Sequence, residues 1–278
     1  MAAFQGTILV LGATGQQGGA AAQQLAANGW TVRALVRDLA RVDRFHQEGI
    51  EVVRGDLDDP ASLHAAMQGA YGVFSVQPVS DPATEIRRGK LVADAAQQAG
   101  IAHIVYSSAS GADRNTGIPL FESKGEIERY LHTLDLPATI LRPAMFMENF
   151  RFLVQELHGQ ITLLSMGGTP QTKVQMVAVH DIGAFAAIAF GNPATYQGTA
   201  IELAGDELTF TQITEMLGRF LGRPVAYHLV EQHEDEGAKR ITEFFEREGF
   251  RADIASLRQT YPQLLNLDAW LHQGNLHL

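Results

Sequence analysis

Three glycines at fixed spacing are the first residues in this chain with chemistry in view. The run Gly12-Ala-Thr14-Gly15-Gln16-Gln17-Gly18 follows an apolar stretch, TILVL at 7–11. It opens an alanine-rich segment in which Gly18, Ala21, Ala22, Leu25 and Ala26 fall on one helical face. Glycines between a strand and a helix permit a tight turn and close approach of backbone to a pyrophosphate. The helix N-terminus adds free amides and positive potential. That placement, more than the triplet itself, points to a dinucleotide. Arg37 stands about 20 residues beyond the loop, at the end of a second apolar run at 31–36. An acid there would accept the ribose hydroxyls and repel a 2′-phosphate, whereas the planar fork of an arginine suits the phosphate. NADP(H) is therefore expected in preference to NAD(H). Arg33, Arg41 and Arg44 lie nearby; they either extend the phosphate site or balance Asp38 and Asp43 in solvent. Asp56, followed by Leu57 after a third run at 51–53, either accepts from the adenine amino group or forms a turn.

Lys124 is the candidate catalytic group. It shares a helical stripe with Ile127, Leu131 and Leu134, and an unpaired ammonium on an apolar face is costly. A cofactor ribose would partner it; the alternative is an aliphatic stem on the surface with its head in water. Short-chain dehydrogenases place a tyrosine four residues before such a lysine, as general acid. Leu120 holds that position here, so the usual proton donor of alcohol–ketone chemistry is missing. Ser107, Ser108 and Ser110 follow the fifth apolar run, at the sheet edge where ligands collect, although serines also serve local turns. Phe146, Phe150 and Phe152 either wall a nicotinamide pocket or are core. Neither Gly-x-Ser-x-Gly nor His-Glu-x-x-His occurs, the ten histidines are scattered, and His233 lies in an acidic run that reads as a solvated face. No metal site is expected.

Elements must position these groups. Apolar runs at 7–11, 31–36, 51–53, 72–76, 101–107 and 138–141 alternate with helical patterns. Asp59-Pro60 and Asp81-Pro82 start two of the helices, since Asp caps free amides and Pro tolerates the first turn. This rhythm predicts an α/β Rossmann fold, a doubly wound parallel sheet covered on both faces. Residues 1–150 form the dinucleotide-binding part in this reading. Residues 151–278 form a smaller α+β part for substrate or partner, with segments near 174–203 rejoining the sheet. Residues 146–157 read as a helix, 166–173 as a Gly/Thr/Pro loop bordering a site, and 231–258 as charge-rich helix.

Composition narrows the classes. The 278 residues are 46% hydrophobic and 19% charged, which supports a large core rather than disorder. A formal charge of −10 argues against nucleic acid. Yet 33–44 carries four arginines against two aspartates, a local basic patch fit for one phosphate. The absence of cysteine removes disulfides, thiolate nucleophiles and Cys-ligated metal. Without a leader-like or membrane-spanning run, cytosol is the expected setting, as monomer or homodimer.

Taken together the residues resemble the NmrA-like family, an atypical branch of the short-chain dehydrogenase/reductases. The likeness rests on GATGQQG at 12–18, RALVRD at 33–38, GDLDD at 55–59, IRRGKLVADAA at 86–96, FESKGEIERYL at 121–131, LRPAMFMENF at 141–150 and LNLDAWL at 265–271. It is nearest to the redox-sensor type. The resemblance implies NADP(H) held by Gly12, Thr14, Gly15, Gln16, Gln17, Gly18 and Arg37, with Asp56 and Leu57 at the adenine and Val76 and Gln77 beside the cofactor. Lys124 would contact the ribose, and Pro143 to Phe146 would border the nicotinamide; Lys90 is a weaker candidate. Two functions follow from it. One is NADPH-dependent reduction of quinones or other conjugated, electron-poor small molecules by direct hydride transfer. The other is a non-catalytic redox sensor acting through a protein partner.

Overall fold

Alternate residues of the first apolar run are buried on opposite sides of a sheet: Ile8 and Val10 on one face, Leu9 and Leu11 on the other. That run is β1 (Thr7–Val10), and the glycine loop leads from it into α1 (Gln16–Ala27). The computed structural model describes residues 6–39, 45, 47–165, 167–230 and 236–276, so Arg41, Asp43, Arg44, Met166 and His233 lie outside the described residues. The chain continues through β2 (Thr31–Val36), β3 (Glu51–Arg54), α2 (Pro60–Met67), β4 (Gly72–Ser75), α3 (Pro82–Gln98), β5 (His103–Ser107), α4 (Pro119–Thr133) and β6 (Ala138–Pro143). Asp59 accepts from the Ala61 amide and Asp81 from the Thr84 amide, so both Asp-Pro pairs start helices.

The second half holds β7 (Met145–Phe146), a 3-10 turn (Met147–Asn149), α5 (Phe150–Leu153), β8 (Val154–Leu157), β9 (Gln160–Ser165), β10 (Lys173–Val177), α6 (Val179–Gly191) and α7 (Pro193–Tyr196). β11 (Ala200–Leu203), β12 (Asp206–Thr209), α8 (Phe210–Leu221), β13 (Val225–Leu229), α9 (Glu236–Arg247), α10 (Ile254–Thr260) and α11 (Leu267–His272) complete it. No described helix is long and apolar enough to cross a membrane.

Seven strands form one parallel sheet in the order β11-β6-β5-β4-β1-β2-β3. This is the doubly wound Rossmann arrangement, and its strand order reverses between β1 and β4, where ligands bind in such sheets. α1 and α6 pack on one face, where Phe185 and Phe190 of α6 meet Ile8, Val10, Phe74 and Val105 of the strands. The other face meets Val92, Ala93 and Ala96 of α3 and Ile127 and Leu131 of α4. β11 joins the large sheet beside β6, whereas β10 pairs with β12 and β7 in a small second sheet. A third sheet holds β13, β9 and β8.

The expected helix at 146–157 is absent as a continuous element. Phe146 pairs with Val177 as a strand residue, and Val154 pairs antiparallel with Leu163, leaving only short turns of helix between them. Tertiary contacts explain the break. Glu148, buried in the 3-10 turn, accepts from the Val179 amide at 3.0 Å and from the Trp270 indole at 3.1 Å. It thereby caps α6 from a distance and anchors α11.

His103 illustrates how tightly the sheet is closed. Its ring lies edge-on to Phe190 with centroids 5.1 Å apart, and Nε2 meets the Thr139 hydroxyl at 2.8 Å. Burial lowers its pKa from the ordinary 6.5 to about 4. The unfolded chain therefore binds the extra proton between those values, and stability falls as pH drops from 6.5 toward 4. Urea unfolding at pH 7 and pH 5 should show a loss of about 2 kcal/mol from this group, and His103→Gln should flatten that part of the slope.

Candidate functional site

The glycine loop is shaped by backbone packed against backbone. The Gly15 amide donates to the Gly12 carbonyl at 2.8 Å, closing the turn. A Cβ on Gly18 would sit 2.2 Å from the Gly12 carbonyl oxygen, and one on Gly12 would sit 2.8 Å from Val76 Cγ1. Any side chain at either place would push the loop off the sheet. α1 begins at Gly15 with no side-chain cap and no acid in its first turn. Its first amides thus face outward, ready for an anion.

Over this loop lies a cavity of about 470 Å³, lined by Gly12, Thr14, Gly15, Gln16, Gln17, Gly18, Leu35, Val36, Arg37, Leu57, Val76, Gln77, Pro78, Val79, Phe146 and Asn149. It opens where β1 and β4 part. A second cavity, about 590 Å³, adjoins it and shares Gln17, Gln77, Val79, Phe146 and Asn149. Ser108, Lys124, Pro143, Phe150, Phe152, Phe245 and Phe250 line this second space, along with further apolar residues.

Hydrogen bonds fix the wall between them. Ser107 Oγ donates to Gln17 Oε1 at 2.6 Å, tying the end of β5 to the glycine loop. Gln77 is buried; its Nε2 donates to Ser75 Oγ at 3.3 Å, while its Oε1 has no protein partner. A buried amide oxygen without a donor is expensive, and this one belongs to a residue shared by both cavities.

Lys124 lines the second cavity, and its partner is a carboxylate that the sequence reading missed. Nζ lies 2.5 Å from Glu85 Oε1, and Ser123 Oγ donates to the other carboxylate oxygen at 2.6 Å. Both charged side chains are largely buried, at 13% and 5% exposure. Glu85 had a detectable signal: it lies on the buried stripe of α3 with Gly89, Val92, Ala93 and Ala96, an acid at a core position. Gly89 lets the partner helix close in, since a Cβ there would sit 2.5 Å from Ile127 Cδ1. Lys124 is therefore not a lone cation on an apolar face; one of its three donors is already engaged.

The other candidates divide. Asp56 does not line either cavity. Its Oδ1 accepts from the Asp58 amide at 3.0 Å, a local turn. Arg33 bonds Glu51 at 2.9 Å and the Ala66 and Gln68 carbonyls, which commits it to the strand edge. Lys90 pairs with Glu126 at 2.9 Å and lies over the Tyr130 ring, on the outer side of α3. Ser108 donates to the buried Glu128, which also takes Arg142, and Ser110 donates to Glu202 at 2.7 Å. The charge-rich helix α9 and the turn after it wall the second cavity through Phe245 and Phe250, which stack edge-on with Phe244. Gln175 holds that turn by a reciprocal pair of bonds to Ala252.

This geometry has relatives. The sequence profile of the NmrA-like family matches residues 5–255. The chain belongs to the NmrA-like family. An NAD(P)H azoreductase from Xenophilus azovorans is 28% identical over 221 residues, covering 79% of this chain and 76% of that one. The nitrogen metabolite repression protein nmrA of Emericella nidulans is 30% identical over 244 residues, covering 82% and 69%. Among solved structures, an NADPH-dependent quinone oxidoreductase of Escherichia coli complexed with NADPH superposes with a TM-score of 0.79 at 25% identity. The match covers 96% of this chain and 99% of that one. The proteins it resembles thus include both reductases and a repression protein.

The ion pair generates a prediction. Glu85→Ala should destabilise this NmrA-like chain by about 3 kcal/mol, because it strands a buried ammonium. Adding Lys124→Met should recover part of that loss, which a double-mutant cycle by urea unfolding will measure. Full additivity would mean the two groups do not interact.

Proposed function

We propose that the chain is an NADPH-dependent reductase that delivers hydride to a quinone or another conjugated, electron-poor small molecule in the second cavity. The observation that carries this reading is the pair of adjoining cavities. One is glycine-walled with outward-facing helix amides, the other apolar and of a size typical for small-molecule sites. The azoreductase and the quinone oxidoreductase among the relatives support it.

Residues present fit a dinucleotide. The Gly12–Gly18 cradle admits backbone contact that any Cβ would block. The uncapped start of α1 offers amides to a pyrophosphate, and the exposed Arg37 lies at the cavity wall for a 2′-phosphate. Leu57 and Val76 flank the same space, and Asp56, outside the lining, closes the turn that carries Leu57 there. Gln77 Oε1, which lacks a donor, would accept from the carboxamide of the nicotinamide. Pro143 and Phe146 would border that ring. When bound, the cofactor supplies the hydride; the acceptor takes up that hydride and one proton.

The chain's own groups do the rest. Lys124 keeps two N–H donors beyond its bond to Glu85 and would orient a ribose hydroxyl. Phe150, Phe245 and Phe250 exclude water from the acceptor and hold a planar ring in contact geometry. A quinone needs little acid catalysis, because its reduced oxyanion is already stable, so Leu120 in place of a tyrosine is tolerated. That same Leu120 favours a second reading, in which the chain binds NADP(H) and reports occupancy to a protein partner.

Two measurements test these statements. Purified protein should oxidise NADPH when offered a panel of quinones and conjugated carbonyls; a flat absorbance trace with every acceptor overturns the reductase and leaves the sensor. Arg37→Glu should weaken NADPH binding by about 1.5–3 kcal/mol and leave NADH nearly unchanged. Equal losses for both cofactors, by titration calorimetry, would remove Arg37 from the 2′-phosphate.

A further inference from the structure

The second cavity ends in an apolar rim. Six large hydrophobic side chains are exposed among the described residues, and three of them line this one cavity: Val79 at 99% exposure, Phe152 at 64% and Leu120 at 52%. They come from separate places in the chain, namely the loop after β4, α5 and the first turn of α4. Only the fold brings them together. Single exposed hydrophobics need no explanation, but apolar side chains gathered at the mouth of a groove mark a binding surface.

We infer that the substrate carries an aliphatic tail, with its electron-poor ring seated inside and the tail running out across Val79, Leu120 and Phe152. This rests on the reductase reading for the ring. Three features select such an occupant. Lys124 is the sole charged side chain among the described lining residues, and Glu85 already engages it, so the cavity offers no free pair for an ionic substituent. The rim continues the apolar lining outward without a polar break at these three positions, so a polar or charged tail would leave them in water. Leu120 stands where an oxidoreductase of alcohols would need a tyrosine, and it puts apolar surface at the mouth in place of a proton donor.

The test uses 2-alkyl-1,4-naphthoquinones with tails from methyl to heptyl, titrated into protein loaded with NADP⁺, so that no turnover occurs. The dissociation constant should fall about fourfold per added methylene over the first carbons, the factor for burying a CH₂. In the triple variant Val79→Ser, Leu120→Ser, Phe152→Ser this dependence on tail length should flatten. The readout is the slope across the series, independent of absolute affinity. Should the triple variant fold poorly, Phe152→Ser alone, at the most exposed ring of the rim, should lower the slope. A wild-type slope of zero, no binding of any member, or a variant that keeps the wild-type slope overturns the inference. A change of oligomeric state in the variant, with the slope unaltered, assigns the rim to a second copy of the chain. Oxidation of NADPH by the same series is followed separately. Its absence defeats the reductase reading while the binding slope still judges the rim.

Discussion

A buried carboxylate, Glu148, organises the ground between the two cavities. It sits in a short turn whose neighbours, Phe146 and Asn149, belong to both. By accepting from the Val179 amide it caps a helix that packs on the glycine-loop helix. By accepting from the Trp270 indole it fastens α11, the last described helix. One acid thus ties the nucleotide-binding sheet to the smaller sheets behind the second cavity. A buried carboxylate is tolerable only with such donors, and here they come from α6 and α11, two helices far apart in the sequence.

The parallel sheet was legible because its strands are continuous apolar runs and two of its helices begin at Asp-Pro pairs; each signal is local. The glycine loop was legible for the same reason, since Gly12 and Gly18 answer a backbone requirement only a few residues long. Residues 146–157 misled. Their apolar spacing fits a helix, but Phe146 and Val154 are claimed by strands distant in sequence, and no local pattern records that. From sequence Arg37 stands at the strand end for the phosphate, while Arg33, four residues earlier, is open between the phosphate site and solvent. Three acceptors lying 18 to 35 residues further along the chain separate them, holding Arg33 and leaving Arg37 at the cavity. Asp56 likewise turns out to close a turn. Glu85 went unnoticed although it breaks an apolar stripe, because its meaning depends on Lys124, 39 residues away.

The Lys124–Glu85 pair also bears on how a lysine is kept among apolar side chains. A cofactor is not needed to satisfy it, which means that the apo chain can fold with the group in place. The helices α3 and α4 meet closely enough for this because Gly89 carries no side chain against Ile127. A buried ion pair of this kind is weak evidence for net stability, since desolvation offsets its attraction.

The wall of Gln17, Gln77, Val79, Phe146 and Asn149, common to both cavities, imposes a thermodynamic bond between their occupants. Ligands that press on the same side chains are coupled to the extent that either one shifts them, and whatever factor one imposes on the other is returned in full. A molecule in the apolar space therefore reads whether the glycine-lined space is filled, and in what form. Catalyst and sensor differ in what happens next; the coupling they exploit is the same partition of five residues.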